Sequence, residues 1–363
     1  MEEKRWTMKD YVEETPETVL KNIDNSEELT KSLVDYYASK PFRRIVVVAS
    51  GSSYNGSLCA REFVTKVLKK DVKVVNPFTF VHYENDVTED DLVLVFSQSG
   101  RSTNSIEALE KIKEKGVKAI GVTADVHSDF EDICDLVIDW GVGVEKVGYV
   151  TKGVVTLALY LMLFAVEAGK RTGVLTVKEA EDWKNEMRRA MDTHRELQAS
   201  TAEYIKSHEK VLMALKNVWL ISAGSGLAVA IEGALKIGET VHIHATAYEC
   251  EEFLHGPCYP FDPNYAVIAI DTNDSSSSRI NQIYQACKQV TDRAILITSQ
   301  PTDDPDAITS KTAVNEMVMP LAYLAVCPLL ANVASQEHTL RANPISRYFH
   351  QNVQTKSRKK PRQ

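Results

Sequence analysis

Apolar positions are arranged along the chain in two ways. In short runs nearly every position is apolar: "RIVVVAS" (44–50), "VKVVN" (72–76), "DLVLVFS" (91–97), "KAIGVT" (118–123) and "DLVIDW" (135–140). Such β-branched runs, bounded by Gly and polar residues, predict strands buried on both faces. Between them, "LCAREFVTKVL" (58–68) and "SIEALEKIKEKG" (105–116) have helical spacing, the second with Gly116 as its stop. Strands alternating with helices predict a parallel sheet covered on both sides.

The pattern then recurs. "NVWLISAGSG" (217–226) matches the first strand and its loop, "YAVIAIDTND" (265–274) the third, and "DRAILITSQ" (292–300) the fourth. Gly51 precedes Ser97 by 46 residues, and Gly224 precedes Asp271 by 47. The fold class expected is α/β: two doubly wound, flavodoxin-like parallel-sheet domains related by internal duplication. The expected limits are an N-terminal segment over 1–34, a first domain over 35–172, a helical linker over 173–215, a second domain over 216–340 and a tail over 341–363.

Composition narrows the function. A net charge of −8 argues against a general nucleic-acid binder, which needs Lys and Arg on one face. The one basic run, "KSRKKPRQ" (356–363), reads as a solvated end. "MEEKRWTMKD" has no apolar core, so no signal peptide is expected. "VVTLALYLMLFAV" (154–166) is too short to span a bilayer and reads as a buried helix. Six scattered cysteines without C-x-x-C point to free thiols in a reducing cytoplasm and to no zinc site.

Candidate chemistry sits where the first and third strands end. "SGSSYN" (50–55) and "SQSGRSTNS" (97–105) are rich in Gly and hydroxyls, and each leads into a helix. Ligands of open parallel sheets bind outside the carboxyl ends of the strands. A helix N-terminus there offers free N–H groups to phosphate. Ser53, Ser97, Gln98, Ser99 and Ser102 are therefore candidate phosphate ligands, against the plainer reading that Gly and Ser simply make turns. In the second copy Asp271 replaces Ser97, and a carboxylate there repels an anion. Neither loop has the sequence of a nucleotide-phosphate loop.

"EGALKIGETVHIHATAYECEEFLHGP" (232–257) carries a second candidate group. Glu232, Lys236 and Glu239 share one helix face. Leu227, Ala230, Ile231, Ala234, Leu235 and Ile237 crowd the same helix, leaving a narrow polar stripe. A solvated face with a Glu–Lys pair is the plainer alternative. His242 and His244 alternate in "VHIHA" as in a strand, and lack a metal-binding spacing. His255 falls in a loop with Gly and Pro.

These motifs resemble the isomerase half of glucosamine-6-phosphate synthase, a two-fold sugar-isomerase (SIS) protein. The likeness runs through "MKDYVEETPETVLKNI" (8–23), the two Ser-rich loops, "EKVGYVTKG" (145–153) and the 232–257 block. It implies that Ser53, Ser97, Gln98, Ser99 and Ser102 hold a sugar phosphate. It implies that Glu239 moves a proton between C1 and C2, that Glu232 and Lys236 line the site, and that His255 assists ring opening from a neighbouring subunit. A homodimer or higher homo-oligomer with a shared active site is thus expected, with no cofactor, nucleic acid or membrane as partner. Lys236 has two readings, a Schiff base with the open-chain carbonyl or an ion pair with Glu232. The pair is preferred, because a nucleophilic Lys needs a lowered pKa.

Three departures shape the expectation. The chain begins at the isomerase segment without a glutamine-hydrolysing half, so ammonia release is not expected from it. Arg101 stands where the family loop usually has Glu. The family's tail brings a Lys into the active site, whereas "NPISRYFH" (343–350) is more similar to the tails of fructosamine-6-phosphate deglycases, related two-fold SIS proteins. The expected function is therefore deglycase or isomerase action on a phosphorylated ketosamine. The alternatives are an isomerase subunit of amino-sugar phosphate synthesis and a non-catalytic phosphosugar-binding regulator. Residues 1–40 are too short and acidic for a DNA-binding arm.

Overall fold

The computed structural model describes residues 6–146, 148–335, 349 and 352–357. Helices α1 (Met8–Asp24) and α2 (Ser26–Ala38) open the chain. Then come β1 (Arg44–Ala49), α3 (Ser52–Leu68), β2 (Asp71–Val75), α4 (Pro77–His82), β3 (Asp91–Phe96), α5 (Thr103–Glu114), β4 (Ile120–Thr123), α6 (Phe130–Ile133) and β5 (Leu136–Asp139). Two long helices follow, α7 (Lys152–Thr172) and α8 (Val177–Met213). The repeat is β6 (Asn217–Ser222), α9 (Gly224–Val241), β7 (His244–Glu249), α10 (Cys250–Leu254), β8 (Tyr265–Ile270), α11 (Ser277–Lys288), β9 (Ala294–Thr298) and β10 (Ala307–Thr309). Helices α12 (Pro320–Tyr323) and α13 (Val326–Ala334) close the described core.

The chain divides into two compact units whose segments interleave. One is Leu20–Glu145, Thr156–Lys184 and Ala342–Gln363; the other is Met1–Val19, Lys146–Val155 and Asn185–Arg341. Each holds one five-stranded parallel sheet. The orders are β2-β1-β3-β4-β5 and β10-β9-β8-β6-β7. Strand for strand these are the same order, so the internal repeat is a repeat of topology. From β1 the order runs outward to β2 on one side, and from β3 to β4 and β5 on the other; the crevice at this switch between β1 and β3 is where such sheets bind ligands.

Burial explains the composition of the strands. All of β3 is buried, and Val46, Val48, Val93 and Val95 pack with Ala108, Leu109, Ile112 and Phe130. In the other unit Trp219, Ile221, Val267 and Ala269 pack with Phe253, Ile280 and Tyr284. Strands covered on both faces leave no polar positions, hence the continuous apolar runs. β1 and β6 turn into their helices through Gly51 (φ +55°) and Gly224 (φ +50°). A side chain at either position is strained, since L-residues rarely adopt that region. The first Ser-rich stretch is therefore a tight turn, with Ser52 and Ser53 already in the first turn of α3.

The apolar run over 154–166 lies within the 21-residue α7. Among the described residues α7 is the helix long and apolar enough to cross a membrane, and its apolar window is wholly buried in the protein. The stretch "NPISRYFH" (343–350), on which the expectation of a deglycase rests, lies outside the described residues except for Phe349.

Candidate active site

In the unit that contains β1–β5, the two Ser-rich turns meet. Asn104, in the first turn of α5, donates its amide to Ser50 Oγ at 3.0 Å. The loop after β3 closes on itself through Gly100 N–H to Ser97 O (3.0 Å) and Arg101 N–H to Ser99 Oγ (3.3 Å). Gly100 is required here: its φ is +59°, and an added Cβ collides with the hydroxyl of Ser128. Ser97 Oγ lies 3.3 Å from Ser102 Oγ, and Ser102 stands at the N-cap position of α5 without a side-chain capping bond. Gln98 turns aside and donates to Glu145 Oε2 at 2.8 Å, tying the loop to the start of the 145–153 segment. Its Oε1 is buried and makes no hydrogen bond. Ser53 is buried in the first turn of α3.

The sequence reading missed one residue here. Lys356 was grouped with a solvated basic end, but its Nζ donates to Ser99 Oγ (2.8 Å) and Ser102 Oγ (3.0 Å). Residues beyond Ser357 lie outside the described residues. The backbone around Lys356 forms an antiparallel bridge to Ser102. Ser357 N–H donates to Arg101 O at 2.9 Å, and Thr103 N–H to Thr355 O at 3.4 Å. The residue is exposed as a whole, yet its ammonium sits among hydroxyls. That partial burial, with repulsion from Arg101 second, lowers its pKa. Arg101 is itself held by Asp125 at 2.8 Å. The available signal was one Lys ahead of the basic cluster, which composition alone does not separate from its neighbours.

In the other unit, α9 carries the second group. Glu232 and Lys236 are buried, at 1% and 0% side-chain exposure, and their charges lie 3.3 Å apart. Lys236 also donates to Glu239, whose side chain is 31% exposed. The expected stripe is present but turned inward. Glu232 and Lys236 are buried, while apolar Ile231 and Leu235 keep partial exposure. Burial alone pushes the pKa of Lys236 down. The carboxylates of Glu232 and then Glu239 more than reverse this, so it stands above its ordinary value. Tyr149 lies near the pair: burial, then the charge of Glu239, raises its phenol pKa.

Two further segments meet in this unit. Buried Lys152 pairs with Glu14 at 2.9 Å, and Tyr11 Oη accepts from Lys146 N–H at 2.6 Å. Helix α1 thereby clamps the segment that presents Tyr149. His255 ends α10 and is exposed, with Nδ1 2.8 Å from the Glu251 carbonyl of its own turn. His242 does not begin a strand. It is the left-handed cap of α9 (φ +59°), and β7 starts at His244. All six cysteines are free thiols.

A model of the SIS domain matches residues 40–166 and 212–311. The isomerizing glutamine–fructose-6-phosphate aminotransferase of Thermococcus kodakarensis is 26% identical over 325 residues, which is 88% of this chain and 53% of that protein. That of Chlorobaculum tepidum is 28% identical over 304 residues, 82% of this chain and 47% of that protein. The chain spans about half the length of these curated relatives. Among solved structures, a proposed phosphosugar isomerase from Clostridium difficile 630 superposes with a TM-score of 0.89 at 22% identity, covering 97% of this chain and 99% of that one. The C-terminal domain of glucosamine-fructose-6-phosphate aminotransferase from Francisella tularensis gives 0.76 at 22% identity, covering 92% and 96%. At these identities the structural likeness is one of fold.

Proposed function

The chain belongs to the SIS domain family, and on that premise we propose that it is an enzyme that moves a proton between C1 and C2 of a sugar 6-phosphate bearing an amine. The observation that carries this reading is the graded exposure of three charges on α9. Glu232 and Lys236 are sealed, and Glu239 alone of the three reaches the surface. Removal of a weakly acidic C–H proton needs a carboxylate within reach of the substrate, and Glu239 is the carboxylate of this group that keeps an exposed edge.

In this reading Ser53, Ser97, Ser99 and Ser102 receive the phosphate, with the ammonium of Lys356 beside it as counter-charge. Gln98 positions the loop through Glu145. The substrate is a ketosamine with its carbonyl at C2. Glu239 takes a proton from C1, the C2 oxygen gains one, and the enaminol that forms has its double bond between C1 and C2. Return of a proton to C2 leaves an imine at C1. Water adds to that carbon and the nitrogen leaves as the free amine, giving a hexose 6-phosphate. His255 completes the neighbour's site in a symmetric dimer and serves ring opening, a proton transfer near neutral pH.

The deciding experiment is a mass-spectrometric screen of 6-phosphorylated sugar–amine adducts in D₂O. Release of amine with one deuteron at C2 of the hexose supports the deglycase reading. Interconversion of aldose and ketose phosphates with no amine release assigns plain isomerase activity instead. Tight binding of all these compounds without turnover makes the chain a phosphosugar sensor.

A further inference from the structure

The second domain repeats the loop that follows β3, but fills it differently. Aligned on their strand ends, Asp271 takes the place of Ser97 and Asn273 that of Ser99. Ser277 opens α11 where Thr103 opens α5, and Thr298 ends β9 where Thr123 ends β4. Asp271 is buried, at 6% exposure. Its Oδ1 accepts from Asn273 N–H (3.0 Å) and from the Ser277 hydroxyl (2.5 Å). Its Oδ2 accepts from the Thr298 hydroxyl at 2.7 Å. A loop N–H, a hydroxyl at a helix start and a hydroxyl at the next strand end are donors of the kind an anion meets in such a place.

The neighbouring turn is closed as well. Gly226 stands where Ser53 stands in the first copy, so a candidate phosphate hydroxyl is gone. The space beside it is occupied: a Cβ at 226 collides with the Ser222 hydroxyl and with Thr272 Cγ2. The first copy differs in sign, because its loop hydroxyls hold the ammonium of Lys356.

We propose that Asp271 is a built-in anion: its carboxylate occupies in the second domain the position that phosphate takes in the first. The second domain has kept the donors of the ancestral loop and satisfies them internally, which leaves each chain with one phosphate site. The inference rests on the reading that the Ser97–Ser102 loop takes phosphate. It implies that exchanging the residues at 97 and 271 moves the site from one domain to the other.

The test is calorimetric titration of the full chain with inorganic phosphate, in the parent, Ser97→Asp, Asp271→Ser and the double variant, with folding checked by circular dichroism. Expected stoichiometries are one, none, two and one per chain. A parent that binds no phosphate, or a Ser97→Asp chain that binds like the parent, removes the reading of the first loop. Independently of that result, Asp271→Ser must bind one equivalent more than the background it is made in. A folded variant that does not overturns the proposal. Where Asp271→Ser melts too early to titrate, phosphate must raise its melting temperature more than chloride of equal ionic strength does. Equal melting in the two salts also overturns it.

Discussion

Lys236 and Glu232 form an ion pair one helical turn apart on α9, 3.3 Å between charges, with both side chains sealed from solvent. A buried pair is held by the mutual attraction of two groups that have each lost their hydration. Here the ammonium answers to two carboxylates, Glu232 and Glu239, which is why its pKa is raised despite burial. An amine kept charged in this way is a poor nucleophile.

The first prediction follows from that pair. Lys236→Met leaves Glu232 buried without its cation, which costs about 3–5 kcal/mol of stability. Urea melts of parent and variant read this directly. Reduction with cyanoborohydride in the presence of a ketose 6-phosphate, followed by peptide mapping, is expected to leave Lys236 unlabelled. A reduced sugar adduct on Lys236 overturns the ion-pair assignment.

Lys356 gives the second prediction. Its ammonium touches two loop hydroxyls, and a hydrogen bond to a charged group contributes about 1.5–3 kcal/mol. Lys356→Met is expected to raise the inhibition constant of inorganic phosphate roughly 10- to 100-fold, at 1.4 kcal/mol per tenfold. The melting temperature should barely move, since Lys356 is exposed. An unchanged inhibition constant makes the tail contact a surface event without a part in binding.

How much of this was legible beforehand depended on the kind of pattern. β1 and β3 were readable almost to the residue, and β6 and β8 start where their matching stretches start, because strands buried on both faces must be continuous apolar runs. The shared face of Glu232, Lys236 and Glu239 followed from helical period alone, but its direction did not. Period says which residues align, whereas only packing says that Ile231 and Leu235 face outward more than Glu232 and Lys236 do. The break at His242 was hidden because a left-handed cap and a strand start both allow alternation. Lys356, Lys152 with Glu14, and Tyr149 were illegible for one reason. Each acts through a partner distant in the chain, and local composition carries no record of such contacts.

A third prediction concerns the unit with β1–β5, away from the candidate site. Glu167 is buried and accepts from Ser26 Oγ at 2.8 Å, with Lys170 and Lys184 at 2.6 and 2.5 Å. Burial raises its pKa, but the bonds from Lys170, Lys184 and Ser26 outweigh it, and the net shift is downward. A carboxyl depressed in the folded state stabilises fully above its unfolded pKa of about 4.3, and that stability is lost as pH falls through the lower folded value. Glu167→Gln should therefore melt well below the parent at neutral pH. The gap should narrow once the pH drops through the depressed range. A gap that stays constant in acid assigns the loss to packing and not to charge.

The last prediction is carried by Glu239. It shares Lys236 with Glu232, yet it alone of the three is open to a ligand. Glu239→Gln preserves length and hydrogen-bonding reach and removes the base. The expected result is a fall in kcat of about 10²–10⁴-fold, the usual loss of a general acid–base group. KM should change little, because in the proposed reading the phosphate is held by the loop after β3 and not by α9. Solvent isotope separates this from a merely structural role. In D₂O the parent should place deuterium at C1 or C2 of recovered substrate and product, since an enaminol intermediate exchanges its proton. The Gln variant should lose exchange and turnover together. If exchange persists at the parent rate while product formation falls, another base performs the enolisation and Glu239 acts later, at imine hydrolysis. A variant that keeps most of the parent kcat takes Glu239 out of the chemistry and leaves the α9 charges as a buried structural network.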